Sequence, residues 1–192
     1  MKKILLIAAM AVMSVAAMAQ DFKWAYVDFN ELVMLMPEMD EARATMDENQ
    51  KTNEEILVAM YDEYQTKMQQ YQQKAESWTP AIRESKEREI MEIQSRFEQT
   101  QQSLQVELQQ LQQNLQAPIY EKAQNTVNEL AKAKGVAFVF EKSSLLYLDP
   151  AQGLDLTPEA RIALNIPADR TLEALQAELM AQAQAAQAAQ VQ

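Results

Sequence analysis

The sequence predicts a mainly helical α+β protein, in which a long antiparallel helical hairpin projects from a small body of short strands that oligomerisation completes. Three observations support this fold class. The 192 residues include only two glycines, and neither lies between Glu38 and Lys134. Apolar residues recur through that stretch in steps of three and four, which is the spacing of one helix face. Short runs that are typical of strands lie on both sides of it.

The chain begins with the features of an export signal. Two lysines precede an apolar stretch that ends near Ala17, and Ala17 and Ala19 fit the small-x-small pattern that signal peptidase recognises. Residues 1–19 are therefore predicted to be removed, and Gln20 to begin the mature chain. The alternative is a transmembrane anchor, but the stretch is shorter than the ~20 residues that span a bilayer. The prediction is a protein of the periplasm of a Gram-negative-type bacterium, without an integral membrane segment after signal cleavage.

The composition argues against an enzyme. The sequence has no His and no Cys, so it lacks an imidazole base, a thiolate nucleophile and the usual zinc ligands. Two glycines are also too few for the Gly-rich loops that bind phosphate. We therefore predict no catalytic residue, no metal site and no cofactor. Without the two lysines of the signal, 15 positive groups face 28 negative ones, and the net charge of −13 argues against a nucleic-acid partner.

The arms of the hairpin are predicted to span residues 38–134, with a turn near residues 77–80. Pro80 suits the first turn of a new helix and disfavours a helical conformation in the residue before it. Helices joined by so short a turn fold back on each other. The large residues of the seam are Leu57, Met60, Tyr64, Met68, Tyr71, Ala75 and Trp78 in the first arm, then Ile90, Ile93, Phe97, Leu104, Leu108, Leu111, Leu115 and Ile119 in the second. The second series skips one position, near Thr100 and Gln101.

The body is predicted to consist of residues 20–37 and 135–166. One strand ends at Val27, before the arms, and a strand pair, Val136–Phe140 and Leu145–Leu148, follows them. Three short strands make a poor isolated sheet, so the body is predicted to complete itself by oligomerising. The candidate residues for the core of the body or for the interface between subunits are Trp24, Tyr26, Val27, Phe138, Phe140 and Leu146.

Local composition also predicts how the second arm and the chain end. Gly135 suits the left-handed position that follows a helix, so it is predicted to end the second arm. Residues 167–192 are predicted to form a short helix and an Ala/Gln-rich low-complexity tail, to which we assign no function.

Four stretches of the sequence resemble the Skp/OmpH family of periplasmic chaperones. They are Trp24–Asp28, similar to its opening strand; Pro37–Ala42, similar to its P-E-x-x-x-A start of the first arm; Gly135–Tyr147, similar to its strand pair; and Asp155–Asn165, similar to its closing helix. The resemblance identifies residues 20–166 as one Skp/OmpH-like domain. It implies a homotrimer whose hairpins surround a cavity, and an ATP-independent holdase that keeps unfolded outer-membrane proteins from aggregating.

A holdase needs an adaptable surface, and flexible Met and aromatic side chains supply one. The candidate client contacts on the arms are Tyr61, Met60, Tyr64, Met68, Tyr71 and Trp78. In the alternative interpretation these side chains fill the seam between the helices, and the spacing of Met60 and Met68 favours that interpretation. Tyr61 lies one step off the seam, so it is the better candidate for an exposed contact.

The acidic charge sets this chain apart from the best-known members of the family, which are basic. A net charge of −13 argues against binding of anionic lipid or lipopolysaccharide, and it leaves apolar contacts to supply more of the affinity for a client. The alternative function is a non-enzymatic coiled-coil scaffold or adaptor of the cell envelope. That function predicts one fixed partner rather than a range of clients.

Overall fold

The computed structural model of the protein describes residues 23–190. The predicted signal peptide, including Ala17, Ala19 and Gln20, lies outside the described residues. The chain divides into two compact units, each described by itself. The hairpin unit comprises Glu38–Ile119, and the body unit comprises residues 23–37 and 120–190.

Most of the chain is helical, and three short strands form one sheet. The elements, in chain order, are β1 (Trp24–Val27), α1 (Phe29–Leu35), α2 (Pro37–Lys74), α3 (Pro80–Lys134), β2 (Phe138–Glu141), β3 (Leu154–Asp155), α4 (Thr157–Ala163) and α5 (Leu172–Gln190). The predicted α+β class, with long helices and a small sheet, is confirmed.

The hairpin unit consists of α2 and the first part of α3, up to Ile119. Both helices are long because this stretch lacks glycine, and α3 continues through Pro118. Side-chain hydrogen bonds join Glu63 to Arg96 at 2.7 Å and Tyr71 to Glu87. Residue numbers therefore rise along one helix as they fall along the other, and the two helices are antiparallel.

The tip of the hairpin satisfies its helix ends with side chains. Beyond α2 the chain makes one 3₁₀ turn, Ala75–Ser77, and the guanidinium of Arg83 donates two hydrogen bonds, of 3.2 and 2.9 Å, to the carbonyl oxygen of Ala75. At the start of α3 the hydroxyl of Thr79 accepts a hydrogen bond from the backbone N–H of Ile82. These bonds satisfy backbone N–H and C=O groups that have no partner within a helix at its ends. They therefore stabilise the turn between α2 and α3.

The sheet of the body unit has β1 in its centre, with the order β2-β1-β3. Both neighbours run parallel to β1, and the register pairs Trp24 with Phe138 and Ala25 with Leu154. The connection from β1 to β2 passes through the hairpin, which supplies the long crossover that parallel strands need.

The predicted strand at Leu145–Leu148 is wrong. After β2 the chain makes a 3₁₀ turn and continues without regular structure, and Leu146 is fully exposed. The third strand is instead Leu154–Asp155, on the far side of β1. The chain must cross from one edge of the sheet to the other between β2 and β3, so the residues of that crossing cannot pair with β2.

Helices α1, α4 and α5 cover the core of the body unit. The most deeply buried large side chains of that core are Leu32, Leu35, Met36, Leu156, Leu164 and Val33. Arg161 on α4 binds the carboxylate of Glu31 and donates hydrogen bonds to the carbonyl oxygens of Pro167 and Arg170, at 3.0 and 2.6 Å. It therefore holds the segment that leads into α5, where Leu175 is buried.

The two glycines occupy positions that no other residue fills easily. Gly135 has a φ of +66° after α3, as predicted, and the backbone N–H of Val136 reaches back to the carbonyl oxygen of Ala131. Gly153, just before β3, lies against the indole ring of Trp24, and a Cβ there would come within 2.6 Å of a ring carbon.

Candidate functional site

The hairpin unit contains an open groove of about 500 Å³ between α2 and α3. The α2 side of the groove is lined by Gln50, Asn53, Glu54, Leu57, Val58 and Tyr61. The α3 side is lined by Phe97, Gln101, Leu104, Gln105 and Leu108. The α2 set advances in steps of three and one, and the α3 set in steps of four, three and one, so each set forms one stripe along its helix, and the two stripes face each other.

The walls of the groove are apolar, and its polar groups are mostly neutral amides. Val58 and Tyr61 are 52% and 53% exposed, although most large side chains of the seam are half-buried. Among the eleven lining residues, Glu54 is the only one with a formal charge. This combination gives an apolar surface that a second molecule can reach without displacing ion pairs.

The groove lies where the predicted seam skips a position. Large apolar residues stand at Phe97, Leu104 and Leu108, but Gln101 takes the place of another one between them. Its amide is exposed and does not fill the interhelical space as a leucine would. The skipped position was therefore the signal for this groove in the sequence, although its lining residues Val58, Phe97, Leu104 and Leu108 were not singled out as contacts.

The structure places the six predicted contact residues in three different settings. Tyr61 lines the groove, and its hydroxyl accepts a hydrogen bond from Gln65 at 2.8 Å. Met60, Tyr64 and Met68 are half-buried along α2. Tyr71 and Trp78 meet edge to face at the tip, with ring centroids 5.9 Å apart. Their roles as client contacts stay predictions, and the groove contains only Tyr61 among them.

A charged cluster joins the two helices between the groove and the tip. Glu89 on α3 accepts hydrogen bonds from Lys67 on α2 and from Lys86, the latter at 2.8 Å. These two bonds, first that of Lys67 and then that of Lys86, lower the pKa of Glu89 to about 2 from its ordinary 4.5. The carboxylate of Glu89 therefore stays ionised at pH values well above 2, and in that form it joins α2 to α3.

The pKa of the Tyr71 phenol is raised, whereas that of Glu89 is lowered. Its hydroxyl donates a hydrogen bond to the carboxylate of Glu87, and this bond raises the pKa of Tyr71 above 10.0 because it favours the protonated phenol. Neither this cluster nor the one at Glu89 places a base beside a nucleophile in a closed pocket. The hydrogen bonds of Lys67 to Glu89 and of Tyr71 to Glu87 cross between α2 and α3, so they hold the two helices together near the tip.

The body unit has an exposed aromatic face and a smaller recess. On one face of the sheet the ring of Phe140 lies 6.0 Å from that of Trp24 and 6.4 Å from that of Phe138, measured between centroids. Phe138 and Phe140 remain 52% and 43% exposed, whereas Tyr26 and Val27 are buried. A recess of about 430 Å³ beside β2 includes Glu141, whose carboxylate already accepts a hydrogen bond from the backbone N–H of Phe29 at 2.9 Å.

Two further features of the described part of the chain concern metal ions and membranes. Among residues 23–190, no group of three or more Asp or Glu side chains is placed to hold a metal ion. No helix within the same residues is long and apolar enough to cross a membrane.

Comparison with models of protein families identifies a match. A family model described as outer membrane protein (OmpH-like) matches residues 23–164. The matched range begins immediately before β1 and ends immediately after α4, so it contains the hairpin unit, all three strands and the groove, and it leaves out α5. No curated protein matches the chain. The resemblance that the sequence predicted is thereby confirmed.

Proposed function

The chain belongs to the OmpH-like family, and we propose that it is an ATP-independent holdase of the periplasm that binds unfolded outer-membrane proteins and prevents their aggregation. At the level of the family, the function is that of a periplasmic chaperone, and it is generally non-enzymatic. The family binds outer-membrane proteins. The proposal extends this function to the present chain and to clients held in a cavity between helical arms.

The open groove on the hairpin unit is the observation that carries the proposal. A holdase must bind many sequences and then release them without a nucleotide cycle, so it needs many weak apolar contacts rather than one tight pocket. The groove supplies such contacts through Val58, Tyr61 and Leu57, with amides around them. Its nearly uncharged lining leaves the choice of client to apolar burial, which is non-directional and tolerant of sequence.

We also propose that three copies of the chain assemble through the body unit. The exposed rings of Phe138 and Phe140 support this assembly, because contiguous exposed aromatic surface is typical of an interface. In the described residues, the outer edges of β2 and β3 have no strand partner. Leu146 is fully exposed and lies outside the core of a single chain, so its proposed place is at the interface between subunits.

Suppression of aggregation tests the proposed function. An outer-membrane β-barrel protein unfolded in urea is diluted into buffer with a stoichiometric amount of the protein, and light scattering is followed at low and moderate salt. We expect scattering to stay near baseline at both salt concentrations, because apolar contacts are weakly screened. An unrelated protein of similar negative charge is the control. Unchanged client aggregation at both salt concentrations would contradict the proposal.

A further inference from the structure

We propose that the groove on the hairpin unit selects extended client segments that are apolar at the centre and flanked by Lys or Arg. This inference rests on the proposed function and names the class of segment that the groove takes. Three features of the described residues carry it: the length of the groove, the amides along it and the negative charge around it.

The length of the groove fits a short extended segment. Its α2 wall runs from Gln50 to Tyr61, which at the helical rise of ~1.5 Å per residue is about 16 Å. An extended chain rises ~3.3 Å per residue, so about five residues cover this length. A segment of this length is long enough to place two or three apolar side chains against Val58, Tyr61 and Leu104.

The amides favour an extended segment over a helical one. Gln50, Asn53, Gln101 and Gln105 line the groove, and each side-chain amide both donates and accepts hydrogen bonds. An extended segment of an unfolded chain has backbone N–H and C=O groups that need partners when water is displaced. A helix satisfies these groups internally, so it gains less from the amides than an extended chain does.

Charge around the groove favours a positively charged flank. Residues 50–61 contain one positive and two negative groups, and residues 97–108 contain two negative groups and no positive one. Within the described residues, Glu54, Glu98 and Glu107 take part in no ion pair. Glu54 lines the groove, and Glu98 and Glu107 are sequence neighbours of the lining residues Phe97 and Leu108, so Lys or Arg at the ends of a bound segment lowers the electrostatic energy of the complex, and Asp or Glu raises it.

Three labelled peptides test the selection directly. All share one central segment of about five apolar residues, the number that the groove accommodates, and they differ in flanking pairs of Lys, Ser or Glu. We expect fluorescence anisotropy to give a Kd for the Lys-flanked peptide about tenfold below that of the Glu-flanked peptide at low salt, with a smaller ratio as salt rises. Equal affinities for the three peptides at low salt would overturn the proposal.

Two matched valine variants locate the binding. Val58 lies in the groove and is 52% exposed, whereas Val106 on α3 is 63% exposed and lies outside the groove lining. We expect Val58→Ser to raise the Kd of the Lys-flanked peptide about tenfold and Val106→Ser to leave it unchanged, because only the first removes apolar surface from the site. Equal effects of the two substitutions would show that the peptide binds elsewhere.

A matched pair of charge variants separates the effect of a charge at the groove on peptide binding from the effect of the net charge of the protein. Glu54→Gln removes the one formal charge of the lining, and Glu41→Gln removes an exposed charge about 20 Å away along the same helix. We expect Glu54→Gln to weaken binding of the Lys-flanked peptide about threefold, and Glu41→Gln to have no effect at moderate salt. An equal loss in both variants would contradict selection by the groove.

The remaining outcomes distinguish this inference from the proposed function. If the protein suppresses client aggregation while all three peptides bind alike, the inference fails and the proposed function stands. If the peptides bind as expected while aggregation is unchanged, the inference stands and the proposed function fails. A lower oligomer mass for Val58→Ser than for Val106→Ser, without peptide, would show that a second copy of the chain occupies the groove and would overturn the inference.

Discussion

Trp24 connects the first strand of the body unit to a loop far along the chain. Its ring contacts those of Tyr26 and Phe140, with centroids 6.2 and 6.0 Å away, and it covers the backbone at Gly153. The absence of a side chain at Gly153 is what allows the indole to lie there. One residue without a Cβ therefore determines how closely the loop before β3 approaches β1.

The two glycines give a matched test of this close approach. Gly153→Ala places a Cβ 2.6 Å from a carbon of the Trp24 ring, so we expect a loss of about 1–3 kcal/mol in the free energy of unfolding. Gly135→Ala meets no atom within 4 Å, and its positive φ costs about 1 kcal/mol. Urea unfolding is followed by Trp24 fluorescence in a Trp78→Phe background. A Gly153→Ala variant as stable as the wild type would contradict the account of Trp24.

Helix α5 lies outside the matched family range and still packs on the body unit. It contacts α1, and Leu175 is its buried residue, at 2% exposure. Arg161 fixes the segment before α5 through Glu31 and two backbone carbonyls. The first turns of α5 are therefore part of the body, whereas the Ala/Gln-rich turns that follow carry no buried side chain in the described residues.

Two leucines one turn apart test how α5 is attached. Leu175→Ala removes a buried side chain and leaves a cavity, so we expect a loss of about 2–4 kcal/mol in the free energy of unfolding. Leu179 is 37% exposed, and Leu179→Ala is expected to cost less than about 1 kcal/mol. The comparison uses urea unfolding followed by Trp24 fluorescence. Similar losses in both variants would mean that α5 does not dock through Leu175.

The tip of the hairpin gives a prediction about pH. The pKa of Glu89 is lowered to about 2 from 4.5, so its ion pairs contribute stability above pH 4.5, and this contribution is lost as pH falls from 4.5 towards 2. We expect Glu89→Gln to have a lower melting temperature than the wild type at pH 7, and this difference to disappear near pH 2. Trp78 fluorescence, in a Trp24→Phe background, follows the melting of the tip.

The exposed carboxylate of Glu92, three residues further along α3, provides the control. Glu92→Gln removes the same charge without breaking a bond between α2 and α3, so it is expected to shift the melting temperature little at either pH. If Glu89→Gln lowers the melting temperature equally at pH 7 and at pH 2, the ion pairs of Glu89 do not hold the tip together.

The sequence predicted the helical elements well because their signals are local. The absence of glycine, the seam spacing, Pro80 and the left-handed position of Gly135 each act within a few residues, and the structure has helices that begin at Pro80 and end before Gly135. The sheet was harder to predict. Leu145–Leu148 has the composition of a strand, but the two-residue strand Leu154–Asp155 forms instead. It pairs with β1, which lies more than 100 residues earlier in the chain, so the local sequence does not show which segment will pair.

The groove was predictable only in part, for a related reason. The skipped seam position at Gln101 is visible in the sequence, and Tyr61 was singled out because it lies off the seam. The opposing residues Val58, Phe97 and Leu108 enter the site only when the register between α2 and α3 is known. That register brings together pairs such as Glu63 and Arg96, and no local pattern in the sequence specifies such a pair.

At the scale of the whole molecule, the acidic charge and the apolar surfaces have different roles. The net negative charge opposes non-specific aggregation of the protein and repels acidic partners at low salt. The groove and the aromatic face of the sheet offer exposed apolar area, which we propose serves a client and the other subunits, respectively. In the proposed holdase, an empty assembly therefore stays soluble while its arms remain able to bind unfolded chains.

The mass of the complex in solution tests the central claim most directly. The purified protein is measured by light scattering after size-exclusion chromatography, alone and after mixing with an unfolded outer-membrane β-barrel protein diluted from urea. We predict the mass of three chains for the protein alone, and the mass of three chains plus one client for the mixture, with the client kept out of the aggregate. A mass that does not change on mixing, with all of the client in the aggregate, would contradict the claim that this protein is a holdase.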